Sequence, residues 1–249
     1  MKVLVSGATG HTGQRLVPQL IEAGHSPIAL VRDGSDTSSL PDGCDTRKGD
    51  LTDLPQDVCE GIDAVIFAAG SGSKTGPDMT DKVDRDGAKA LVDRAKTAGV
   101  KRFVMLSARG VDDPDPDSDL YHYALAKKAA DEHLVGSGVP YAIIRPGALT
   151  HDDGKRDVRL GDDVEGDGTT ARGDLAAVLA RAVDDDALEN RIVPMESVGI
   201  CGSDVHGFTG ESGRRAPGMV MGHEVVGRIV ERAEDAVSYM ETDQAVAHL

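Results

Sequence analysis

Tryptophan is absent from this sequence, and Phe and Tyr together supply only 3% of it. A core without aromatics must be filled by Val, Ile, Leu and Ala, and at 39% hydrophobic content over 249 residues there are enough of them. Cysteine is scarce too: Cys44, Cys59 and Cys201 are the only three. An odd, sparse count excludes a disulfide framework and points to a reducing, cytoplasmic setting. No apolar stretch approaches the roughly 20 residues that span a bilayer. The opening run Met1-Lys2-Val3-Leu4-Val5-Ser6-Gly7 is too short for a signal peptide and ends in glycine. Basic residues are also under-represented. There are 27 Lys and Arg against 43 Asp and Glu, a net charge of −16. Such an excess repels nucleic acid and anionic membranes. It is spread over segments such as Asp112-Asp113-Pro114-Asp115 and Asp184-Asp185-Asp186. This halophilic-type composition is expected to serve as a solvated surface at high salt, where screening removes self-repulsion.

What is present is an alternation of strand-like and helix-like segments. Strands are expected at Val3 to Ser6, Pro27 to Val31, Asp45 to Lys48, Asp63 to Ala68, Lys101 to Leu106 and Tyr141 to Arg145. Helices are expected at Thr12 to Ala23, Asp81 to Ala98, Leu120 to Val135 and Asp174 to Val183. Strands separated by helices of this length imply an α/β fold with a parallel, doubly wound sheet of the Rossmann type. Residues 150 to 170 are rich in Asp and Gly and read as loops with short strands. The character changes near Val193-Pro194. That gives two expected domains, 1–193 and a β-rich segment 194–249 with short runs such as Val225 to Val230.

The first strand leads into Gly7-Ala8-Thr9-Gly10-His11-Thr12-Gly13 and then a helix. Gly7 permits a tight turn, Gly10 lets backbone approach a pyrophosphate, and Gly13 lets helix pack on strand. The free amides of the helix N-terminus then face the phosphates. The spacing is GxxGxxG rather than GxGxxG, but its position between strand and helix supports a dinucleotide site. The second strand ends Val31-Arg32-Asp33. An acid there suits the ribose 2′-hydroxyl of NAD and an arginine suits the 2′-phosphate of NADP. Arg32 comes directly off the strand, so NADP is expected, with NAD as the alternative.

The glycine loop, Gly49-Asp50-Leu51, Ala68-Ala69-Gly70, the Tyr123/Lys127 pair and Arg145-Pro146-Gly147 occur in a fixed order. Together they resemble the atypical short-chain dehydrogenase/reductases, the branch with NmrA-like and biliverdin-reductase-B-like NAD(P)H-binding proteins, over residues 1 to 193. The resemblance implies that Asp50 and Leu51 lie against adenine and that Ala68, Ala69 and Gly70 line the cofactor. It also implies that Pro146 to Leu149, Ala148 included, border the nicotinamide, and that Lys127 holds the nicotinamide ribose. Within the loop Thr9, Gly10, His11 and Thr12 are the expected contacts. From spacing, Tyr123 and Lys127 share a helix face. A lysine ammonium beside a tyrosine favours the phenolate, which makes Tyr123 a candidate proton donor to a carbonyl receiving hydride. Ser107 follows the fifth strand at its C-terminal end and is a candidate partner for the same oxygen.

The last segment carries Cys201-Gly202-Ser203-Asp204-Val205-His206 and Gly222-His223-Glu224. It resembles the front part of the catalytic, GroES-like domain of zinc-containing medium-chain alcohol dehydrogenases. The resemblance implies Cys201, His223 and Glu224 as metal ligands and Ser203 and His206 at proton-relay positions. A thiolate, an imidazole and a carboxylate suit Zn²⁺. No later ligand stands in the family's usual context, so zinc is not expected and the reading is a fusion joined near Pro194. The expected function is NADPH-dependent reduction of a small carbonyl or related acceptor. The alternatives are a non-catalytic NAD(P)-binding redox sensor and an epimerase/dehydratase-like enzyme. A small molecule is the expected partner. Substrate identity and oligomeric state carry no signature.

Overall fold

A computed structural model describes residues 1–72, 75–156, 158–161, 164 and 168–197. The chain divides into two units, Met1–Ser197 and Val198–Leu249, and the second lies outside the described residues.

The buried apolar runs become strands, joined at the sheet edge by the polar, mostly exposed segment Asp45–Lys48. β1 is Lys2–Ser6, β2 Ser26–Val31, β3 Asp45–Lys48, β4 Ala64–Phe67, β5 Arg102–Leu106 and β6 Tyr141–Pro146. They lie in the order β3-β2-β1-β4-β5-β6 and every pair among them is parallel. Helices α1 (Gly13–Glu22) and α5 (Arg172–Arg181) cover one face. Helices α3 (Ala88–Ala98) and α4 (Tyr121–Ser137) cover the other. Successive side chains of a strand point to opposite faces. Val3 and Val5 therefore join Leu16, Leu20, Leu175 and Leu179, while Leu4 joins Leu91, Phe103, Leu134 and Ile143. With both faces covered, β4 (AVIF) and β5 (RFVML) are buried throughout.

Two regions depart from the sequence expectation. Helix formation before α3 starts at Pro77, with a short α2 (Pro77–Thr80), and then widens into a π-helical stretch, Asp81–Gly87, before α3. The sheet also continues past β6. After two short strands, β7 (Ala148–Thr150) and β8 (Val158–Leu160), and β9 (Thr169–Ala171), the chain forms β10, Arg191–Ser197. β10 pairs parallel with β6 and antiparallel with β8. Met195 within it is fully buried. The first compact unit therefore runs past Pro194, through Ser197. Pro194 is accommodated because its carbonyl, and hence its nitrogen, faces the β8 side. The ladder there pairs only Met195, Glu196 and Ser197, and beyond it Gly161 N donates to Pro194 O at 3.1 Å.

Candidate nucleotide and redox site

The strand order reverses between β1 and β4, and ligands of open α/β sheets bind at the carboxyl ends of strands flanking such a switch. Gly7 leaves β1 there with φ +78°, and a Cβ on it would lie 2.6 Å from Ala68 O. A Cβ on Gly13 would lie 2.1 Å from Gly7 O and 2.5 Å from Ala8 O. These two glycines let the loop fold flat against β4 and the start of α1. Gly10, by contrast, is exposed, and a Cβ there would meet only Gly7 O at 3.3 Å. The amides of His11 and Thr12 find no acceptor among the described residues. The first turn of α1 carries no acidic residue, and Thr12 provides no side-chain cap. Open amides at an uncapped helix N-terminus fit an anionic pyrophosphate. Ala68 and Ala69 are half-buried beside the loop, with Gly70 exposed.

A cavity of about 540 Å³ opens at the far end of β2 and β3, a size typical of small-ligand sites. Arg32, Asp33, Ser35, Lys48, Asp50 and Asp53 are among its lining residues. Lys48 Nζ lies 3.2 Å from Asp33 Oδ1. Asp50 Oδ1 accepts from Thr52 N at 2.9 Å and from Thr52 Oγ1 at 2.8 Å. Those two bonds, and more weakly the Arg32 charge, hold its carboxyl below the usual range. Leu51 packs against the core, and Gly87 of the π-helical stretch fits beneath it. A Cβ on Gly87 would lie 2.8 Å from Leu51 O.

The opposite end is built on α4. Lys127 is 2% exposed, and its Nζ donates to Leu106 O at 2.6 Å. That ammonium sits 5.3 Å from the Phe67 ring centre and 6.0 Å from that of Tyr123. The Tyr123 ring is half-buried, and its hydroxyl bonds no protein group among the described residues. The helix thus brings the Tyr/Lys pair to the C-terminal end of β5. Ser107 lies there too, but its Oγ donates to Asp131 Oδ2 at 2.7 Å. Arg145 closes on the same Oδ2 from Nε at 3.1 Å and Nη2 at 3.0 Å, while its Nη1 bonds Asp112. Burial pushes the Asp131 carboxyl up, opposed by Ser107, Arg145 and Lys127. Asp131 is one further turn along the face of Tyr123 and Lys127, a four-residue spacing that sequence reading could have extended.

Pro146 ends β6 and its carbonyl accepts from Arg109 N at 3.1 Å. Ala148 and Leu149 lie in β7 against β9. The chain after β7 then straps onto the glycine loop. Arg15 binds Asp153 at 2.8 Å, His151 O at 2.6 Å and His11 O at 3.1 Å, and the His11 and His151 rings meet edge-on at 4.7 Å. A second buried acid was not singled out from sequence. Asp84 in the π-helical stretch is fully buried; its Oδ2 accepts from Ser71 N at 3.0 Å, directly after the Ala68–Gly70 step. π-bulges recur at functional sites, and this one anchors the loop that follows Ala68–Gly70. Cys201, His223 and Glu224, with Ser203 and His206, lie outside the described residues.

Comparison with known proteins agrees with this geometry. Residues 7–186 match the NAD(P)H-binding family model, and residues 189–248 match that of the alcohol dehydrogenase GroES-like domain. The second match begins before β10, so that strand closes the Rossmann sheet and also opens the GroES-like match. The Bacillus subtilis protein named "Uncharacterized sugar epimerase YhfK" is 39% identical over 197 residues, covering 77% of this chain and 92% of that protein. Sanguinarine reductase of Eschscholzia californica is 28% identical over 248 residues, covering 79% and 89%. Among solved structures, "Putative NAD-dependent epimerase/dehydratase from Bacillus halodurans" aligns with TM-score 0.75 and 34% identity, over 79% of this chain and 94% of that one. This chain belongs to the NAD(P)H-binding family of Rossmann-type, oxidoreductase- and epimerase-like proteins, and carries a GroES-like alcohol dehydrogenase match at its C-terminal end.

Proposed function

We propose that the chain is an NADP(H)-dependent oxidoreductase that reduces a small carbonyl or related acceptor. The observation that carries this reading is the buried Lys127 ammonium, fixed on the Leu106 carbonyl and lying under the Tyr123 ring. A lysine has three N–H donors, and one is committed to Leu106. The other two are free to face a ribose and the Tyr123 oxygen. When bound, the nicotinamide supplies the hydride. Tyr123 donates its hydroxyl proton to the acceptor oxygen, and the nearby ammonium stabilises the phenolate left behind. Ser107 gives its hydrogen to Asp131, so it braces α4 against β5 and leaves Tyr123 as the proton donor. Arg32 at the cavity mouth, with Asp33 already paired to Lys48, supports NADP over NAD.

The test is to titrate NADPH and NADH. NADPH oxidation is then followed against carbonyls, quinones and flavins for the wild type and Tyr123→Phe. The proposal expects turnover on at least one acceptor and a loss of about 10²-fold or more in the variant. Binding without turnover on any acceptor would favour the sensor reading. Conversion of a sugar nucleotide without net NADPH oxidation would favour the epimerase reading, which the names of two relatives suggest. Turnover unaffected by Tyr123→Phe would remove the acid assignment.

A further inference from the structure

The cavity at the end of β2 and β3 holds an ion pair whose placement bears on cofactor choice. In the parallel β2–β3 register Val31 sits opposite Lys48, so Lys48 lies beside the point where Arg32 and Asp33 leave the sheet. The strand ends are clamped there. Gly49 N donates to Val31 O at 3.0 Å, and a Cβ on Gly49 would lie 2.8 Å from Leu30 Cδ1. Lys48 is thus held by its backbone, while its side chain remains free to move. The Lys48 and Asp33 side chains are 65% and 98% exposed. An ion pair this exposed is weak and exchanges readily.

The chemistry of the two ends differs. Asp33 unpaired would accept from a ribose 2′-hydroxyl and repel a 2′-phosphate. Paired with Lys48, its charge is offset. A phosphomonoester is a stronger partner for an ammonium than one solvated carboxylate, because it carries more charge and three acceptor oxygens. Of the two other acids that line the cavity, Asp50 and Asp53, Asp50 is turned onto Thr52 and faces Arg32. We propose that Lys48 is a specificity-determining residue: it is the second cationic arm beside Arg32 for the 2′-phosphate of NADP(H), and its three N–H donors let it take that phosphate while still offsetting Asp33. This rests on the NADP reading given above.

The adenosine half of the cofactor isolates the effect. Full-length wild type, Lys48→Met and Lys48→Arg are titrated calorimetrically with 2′,5′-ADP and with 5′-AMP at low and high salt. Lys48→Met is expected to weaken 2′,5′-ADP about tenfold, the order of one charge-assisted bond, and to leave 5′-AMP within about twofold. Lys48→Arg is expected to restore 2′,5′-ADP to within about threefold. The salt dependence for 2′,5′-ADP should be shallower in Lys48→Met. Equal weakening of both nucleotides would make Lys48 a support for the fold of the turn, and no weakening would leave it without a role. Either result, with a wild type that prefers 2′,5′-ADP, overturns the inference about Lys48 alone. A wild type that binds 5′-AMP as tightly as 2′,5′-ADP overturns the NADP reading itself.

Discussion

Ser107 and Asp131 tie β5 to α4 through one buried hydrogen bond, Oγ to Oδ2 at 2.7 Å, and Arg145 grips the same carboxylate oxygen. Removing one member of a buried ion pair leaves the other uncompensated. Asp131→Ala is therefore expected to destabilise the protein by about 3 kcal/mol, at the low end for such pairs because Asp112 still faces Arg145. Urea denaturation checks this, and a loss under about 1 kcal/mol would show that the network adds little.

The same acid gives a pH dependence of defined sign. Burial raises the Asp131 carboxyl, so the folded protein holds that proton more tightly than the unfolded chain. The resulting stability is full below the unfolded value of about 4 and is lost as pH rises through the higher folded value. Acids such as Asp50 and Asp185, held below the usual range, act in the opposite direction. The wild type is therefore compared with Asp131→Asn. The difference in unfolding free energy, wild type minus variant, should fall as pH rises from about 4. A flat or rising difference would contradict the raised value.

The glycines of the loop should separate folding from binding. Gly13→Ala drives a Cβ into two backbone oxygens and is expected to cost about 1–3 kcal/mol or more along with nucleotide binding. Gly10→Ala meets only one oxygen at 3.3 Å on the exposed side, so it should melt near the wild type yet bind NADPH at least about tenfold more weakly. Thermal melts and fluorescence titration read both. Unaltered NADPH binding by Gly10→Ala would move the pyrophosphate away from this loop.

Lys127 and Tyr123 should part in the same way. Lys127→Met keeps the buried stem but leaves the Leu106 carbonyl unpaired, costing about 1–3 kcal/mol and weakening NADPH. Tyr123→Phe loses no protein hydrogen bond among the described residues and should leave stability and NADPH affinity nearly unchanged. Equal NADPH affinity in Lys127→Met and wild type would remove the ribose contact from the account.

How much of this was legible depended on burial. Strands covered on both faces, such as Ala64–Phe67, read as continuous apolar runs, so β1, β2, β4, β5 and β6 stood out, whereas β3 (DTRK) is polar and lies at the sheet edge. β10 did not, because Pro194, Glu196 and Ser197 interrupt its pattern and its outer partner, β8, is short. The Tyr123/Lys127 pair was visible as a four-residue spacing. Its continuation to Asp131 became meaningful only once Arg145 and Ser107 were brought to it from two strands. The π-helical stretch was not legible at all. It depends on burying Asp84 against Ser71, a contact between segments 13 residues apart that helical periodicity does not encode. Ser107 was found by its place at the end of β5, yet its hydrogen-bond partner was not.

The proposed function requires that a nicotinamide dinucleotide sit on the Gly7–Gly13 loop with its phosphates at the start of α1. The most direct measurement is titration of the full-length protein with NADPH, following the reduced nicotinamide by fluorescence. Saturable binding is expected, competed by NADP⁺ and weakened in Gly10→Ala. Failure of the wild type to bind NADPH or NADH at any accessible concentration would contradict it.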